Sequence, residues 1–137
     1  MSKRILSIIA GLAVAFVIIM LIEKISSSMY PLPEGVKLES LDRAGFAEIV
    51  KNMPVGAFLL ILLGYALGSF GGGLTASLIA AENRVRSSVI VGAVVMLGGV
   101  MNVILVPHPT WFTVCTFLAY VPFAWLGGFI VNKAKSK

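Results

Sequence analysis

The chain has 137 residues, 58% of them hydrophobic and 12% charged, a balance that excludes a water-soluble domain able to hide its apolar surface. The single cysteine, Cys115, excludes an intrachain disulfide framework and a cysteine metal site. The formal charge of +5 comes from Lys and Arg at the ends of apolar runs, with no basic stripe interleaved with aromatics, so membrane orientation explains it better than nucleic-acid binding.

Ile5 to Ile22 is an uncharged run of 18 residues between Lys3-Arg4 and Glu23-Lys24, the lower end of what a spanning helix requires. A basic start followed by an apolar run also fits a secretory signal, with Ser26 and Ser28 as small residues before a cleavage point. The run is longer than a typical signal core, which favours a retained span. An outer loop follows, over residues 23–52. In it Tyr30-Pro31-Leu32-Pro33-Glu34-Gly35 reads as a rigid extended stretch closed by a turn. Phe46, Ile49, Val50 and Met53 then share a face opposite Glu48, Lys51 and Asn52, the pattern of a short interfacial helix.

Asn52 to Ala81 holds 30 uncharged residues, about 45 Å if fully helical, so this span must tilt or protrude. Asn52 is the expected N-cap and Pro54 suits the first turn, which places the span at about 53–81. Gly64, Gly68, Gly72, Ala76 and Ala80 recur every four residues, a glycine-zipper ridge that lets helix backbones approach closely. Leu60, Leu63, Leu67, Leu74 and Leu78 fall on the far side. Gly71-Gly72-Gly73 lacks the Lys-Ser and the strand of a phosphate loop, which leaves packing as its role.

From Ser87 to Asn132 only His108 can carry charge near neutral pH, and Pro107-His108-Pro109 divides this run into spans at about 87–106 and 110–131. Ser88, Gly92, Gly99 and Asn102 project within about 80° of one another on a helix. The short connection through Arg84 and Arg86 makes the second and third spans antiparallel neighbours, so this face is expected to meet the Gly64 ridge, with Asn102 as an interhelical hydrogen-bonding group. In the fourth span Thr113, Thr116, Tyr120 and Gly127 line one side. Trp111, Leu118, Trp125 and Phe129 line the other, the expected lipid side. Pro122 frees the Leu118 carbonyl and predicts a bend.

Seven Lys and Arg residues fall on the side of the termini: Lys3, Arg4, Arg84, Arg86, Lys133, Lys135 and Lys137. Four fall on the other, Lys24, Lys37, Arg43 and Lys51, which puts both termini in the cytoplasm. Of these, Arg84, Arg86, Lys133, Lys135 and Lys137 are placed to meet anionic lipid. The expected fold class is therefore an all-α integral membrane protein, a four-helix transmembrane bundle forming one domain over residues 1–137 with a short outer-face helix. Size and composition suggest a bacterial inner membrane.

Two groups of residues are candidates for function. The small-residue faces Gly64, Gly68, Gly72, Ala76, Ala80, Ser88, Gly92, Gly99 and Asn102 point to helix packing, within the chain or between subunits. Glu23, Tyr30, Glu34 and His108 share the outer side and form a second, polar candidate, His108 being able to titrate near neutrality. One histidine with scattered carboxylates has no zinc-ligand spacing, so neither metal nor cofactor is expected. With no nucleophile elbow, phosphate loop or histidine pair, the expectation is a non-enzymatic membrane protein. It would act through helix packing, as a homo-oligomer or as an accessory subunit of a membrane complex, with membrane lipids as its other partners. The alternative is a small oligomeric transporter or channel for a small solute. Its weakness is that no ionisable residue falls near the centre of any span.

Overall fold

The first helix shows how local chemistry sets the architecture. Ser2 caps it by accepting a hydrogen bond from the Ile5 N–H at 3.2 Å, and nothing before Pro31 breaks the helical pattern. Helix α1 therefore runs Lys3–Met29 and ends at Tyr30, whose φ of −129° and ψ of 70° are non-helical, as the residue before a proline tends to be. Glu23-Lys24 ends the uncharged run but not the helix, so α1 continues about two turns past the expected limit at Ile22. The computed structural model describes residues 2–31, 42–105 and 108–135.

Helix α2 (Arg43–Lys51) is capped by Asp42, whose carboxylate accepts from the Gly45 N–H at 2.7 Å. Asn52 closes its other end, its N–H bonding the Glu48 carbonyl. Asn52 thus ends α2 and does not begin the next helix as its residue type suggested; Pro54 occupies that N-cap. Helix α3 spans Val55–Ile79, α4 spans Arg84–Leu105 and α5 spans Thr110–Lys135, unbroken through Pro122. Between α3 and α4 the chain turns at Asn83, whose φ of 51° lies in the left-handed region that asparagine tolerates. All the described secondary structure is helical, and α1, α3, α4 and α5 are each long and apolar enough to cross a membrane.

The long helices run up and down. Residue 2, the α3–α4 turn and Lys135 lie at one end, here called the terminal end; α2 and His108 lie at the other, the loop end. Helix α3 is central, packing on α1 and α5 more extensively than on α4. Its ridge packs chiefly on α1, whereas connectivity suggested α4, which meets the ridge at Gly72 through Val91. A methyl group on Gly72 would stand 2.6 Å from the Gly11 carbonyl oxygen, and one on Gly68 would stand 2.9 Å from that of Ala15. Gly64 instead faces the Ile22 side chain, whose Cβ would lie 2.9 Å from such a methyl. The reason lies on α1, where Ser7, Gly11 and Ala15 repeat at the same spacing of four and are all buried. Two slim faces gain dispersion contacts along their whole length, whereas a short turn only makes two helices neighbours.

Helix α5 accepts the remaining small faces. Gly73 abuts the Ala124 backbone, and Gly127 of α5 meets the Phe70 carbonyl. The α4 face of Ser88, Gly92 and Gly99 packs on Gly128, Ala124 and Tyr120 of α5 in turn. Toward the loop end the filling changes from glycine to aromatic. Phe58 and Phe112 stand 5.1 Å apart between ring centroids, and Tyr65 and Tyr120 stand 5.5 Å apart. The outward face of α5 matches expectation: Trp111, Leu118, Trp125 and Phe129 are exposed, while Thr116, Tyr120 and Gly127 are buried.

A branched side chain at Gly72 meets backbone on one side and Val91 on the other, whereas a methyl on Gly98 has nothing within 4 Å. Gly72→Val is expected to cost about 1–3 kcal/mol and Gly98→Ala no more than about 0.5 kcal/mol. Unfolding in mixed detergent micelles measures both, and equal effects would contradict this packing.

Candidate functional site

Where the bundle closes on glycine at the terminal end, it parts toward the loop end. Val91 of α4 is fully buried and sits between Gly11 of α1 and Gly72 of α3. Beyond it α1 and α4 flank a cleft of about 350 Å³. One wall is the α1 face that carries Leu12, Phe16, Ile19 and Glu23; the other is the α4 face that carries Val95, Gly98, Gly99 and Asn102. Tyr65 of α3 and Tyr120 of α5 also line it.

Each polar group is positioned by its element. Glu23 precedes the end of α1 at Met29 by six residues, about 9 Å of helix. Ile22, its neighbour, lies against Gly64, which is nine residues into α3, about 14 Å from that helix start. Glu23 thus lies on the α1 wall of the cleft, six residues short of the helix end, and is itself exposed. It is within electrostatic reach of both tyrosine hydroxyls and has no ion pair among the described residues. Asn102 donates through Nδ2 to the Tyr65 hydroxyl at 3.3 Å, linking α4 to α3 across the cleft. Gly99 must be small because Tyr120 lies over it, its ring carbon 2.7 Å from where a methyl would stand. Gly98, one residue away on the cleft wall, meets nothing.

Of the outer-face group expected from the sequence, Glu23 and His108 line different cavities. Glu23 lines the α1–α4 cleft, while His108 lines a separate cavity with Val50, Lys51, Met53, Phe58 and Trp111. His108 also stacks on Phe112, ring centroids 5.3 Å apart and planes 20° apart. Tyr30 lies over Gly56 near the start of α3, and Glu34 lies outside the described residues. Among the described residues no group of three or more His, Cys, Asp or Glu side chains gathers.

Of the terminal-end basic residues, Arg84 reaches back to the Ser77 carbonyl at 2.8 Å, satisfying one of the last carbonyls of α3. Arg86, Lys133 and Lys135 are exposed, and Lys137 lies outside the described residues. Ridge residues Gly64, Gly68, Gly72, Ala76 and Ala80 are all buried. The sequence reading missed the Ser7-Gly11-Ala15 repeat, whose spacing of four was visible, and Tyr65 as a site residue. Tyr65 carries the same spacing as the ridge, one position later, but no local pattern marks its hydroxyl as facing Asn102.

Chemically, one carboxylate, two phenols and an amide in an otherwise apolar cleft can hold a cation or a hydrogen-bond donor. Comparison with protein-family models, curated proteins and solved structures yields no match to the chain. A double-mutant cycle on Tyr65→Phe and Asn102→Ala tests the bond that spans the cleft. A coupling of about 0.6 kcal/mol, and at most about 1.7, is expected for such a bond between apolar helices; none would show the two groups to be apart.

Proposed function

We propose that the chain is an integral membrane protein with four spans and cytoplasmic termini, and that it binds a small solute in the α1–α4 cleft without transforming it. The observation that carries this reading is the convergence of Glu23, Tyr65, Asn102 and Tyr120 on one cleft between α1 and α4, open where Phe16, Met20, Val94 and Gly98 are exposed. An ionisable side chain within a membrane-spanning helix is a functional-site candidate by default. The volume of about 350 Å³ falls within the range of about 300–1,000 Å³ common to small-molecule sites. Carriage of that solute across a bacterial inner membrane is the process the reading implies.

The small-residue ridge supports this indirectly. With α1 seated on it, the ridge is spent inside the chain, so contacts in a homo-oligomer or with a larger complex fall to other faces. Leu97, Met101 and Leu105 of α4 are exposed on one such face. In the membrane these side chains meet lipid, and the exposed α2 residues Glu48 and Lys51 fit a helix lying at the outer interface.

Two experiments check the reading. In a Cys115→Ser background, Ala44→Cys should react with a membrane-impermeant maleimide in intact spheroplasts and Lys135→Cys only after lysis; the reverse pattern would overturn the orientation. In micelles, at least one member of a panel of cationic, anionic and neutral organic solutes should raise the unfolding temperature of the native chain by a few degrees. The rise should vanish in Gly98→Leu, which fills the cleft. No rise with any solute, or an equal rise in Gly98→Leu, would contradict a solute site here.

A further inference from the structure

We infer that the solute held in the α1–α4 cleft is an apolar organic monocation, its charge beside Glu23 and its body along the α1 and α4 walls. This deepens the solute-binding reading and rests on it. The sign of the charge follows from the lining. Glu23 is the one charged side chain there, and no ion pair among the described residues neutralises it. A carboxylate in apolar surroundings gains most from a ligand of opposite charge, and an anion would add a second uncompensated charge of the same sign.

The apolar character follows from the rest of the lining. Phe16, Ile19, Val94 and Val95 offer nothing to replace lost hydration, so a compact hydrated cation would be penalised there, whereas an alkyl or aryl body gains by burial. Tyr65 and Tyr120 add aromatic rings that attract a cation electrostatically. A divalent metal is the poorer occupant, because no group of three metal-ligating side chains gathers among the described residues. Gly98 supplies the room: it lines the cleft, and a side chain there would project into open space.

The test compares benzyltrimethylammonium with neopentylbenzene, its neutral isostere in which carbon replaces nitrogen. Equilibrium binding is measured on the full chain in zwitterionic nanodiscs, with empty nanodiscs as the blank. Saturable binding of the cation above the blank is expected, weakened at least tenfold by Glu23→Gln and by Gly98→Leu, with no saturable binding of the isostere. At Gly98 a Cβ meets nothing within 4 Å, so Gly98→Leu stands as an independent variant if Glu23→Gln alters folding. Equal binding of the isostere, insensitive to Glu23→Gln but lost in Gly98→Leu, would overturn the cationic assignment and leave the solute site in place. Absence of saturable cation binding, or cation binding unchanged in Gly98→Leu, would overturn the assignment as well. Failure of the broader reading is distinguished by the solute panel giving no cleft-dependent stabilisation.

Discussion

The backbone approach between α1 and α3 at Gly11 and Gly72 is the constraint on which the rest of the bundle depends. Each glycine faces the other's carbonyl oxygen at a distance that excludes any side chain. With Ser7 and Ala15 on one helix and Gly68 and Ala76 on the other, the contact closes the terminal end tightly. No such small-residue run continues to the loop end, where Phe58, Tyr65, Phe112 and Tyr120 pack ring against ring. Two of these rings, Tyr65 and Tyr120, line the cleft between α1 and α4.

That geometry gives Glu23 its significance. On a helix that stopped at Ile22 the carboxylate would sit in water with Lys24, and its charge would be unremarked. Because α1 runs on to Met29, Glu23 stands on the helix wall of the cleft that Tyr65 and Asn102 also line, and it remains exposed. No hydrogen bond or ion pair among the described residues engages this carboxylate. The proposed binding role gives it a partner, since an arriving cation supplies a countercharge that no ion pair among the described residues provides.

Much of the architecture was legible in the residues, for physical reasons. Uncharged runs and the Pro107-His108-Pro109 break locate long helices because charge and proline are each costly inside them. The exposed aromatic face of α5 and the α2 pattern followed from helical periodicity. The partner of the Gly64 ridge was not legible, because small residues specify closeness without naming the neighbour. Connectivity favoured α4, and the matching Ser7-Gly11-Ala15 face decided for α1. The place of Glu23 within α1 was hidden for a related reason: the end of an uncharged run was read as the end of a helix, yet Glu23-Lys24 is fully compatible with helical backbone. The separation of Glu23 from His108 depends on tertiary placement alone, and no spacing in the chain encodes it.

The most direct measurement of the central claim is solid-state NMR of the glycine-labelled chain in lipid bilayers, diluted with unlabelled chain so that only intrachain contacts appear. A cross-peak between the Gly11 α-carbon and the Gly72 carbonyl carbon is expected, with none between Gly72 and Gly99. Cross-peaks from Gly64, Gly68 or Gly72 to Gly92 or Gly99, with the Gly11–Gly72 peak absent, would contradict it. They would place the ridge on α4 and remove the α1–α3 contact that seats α1 in the bundle.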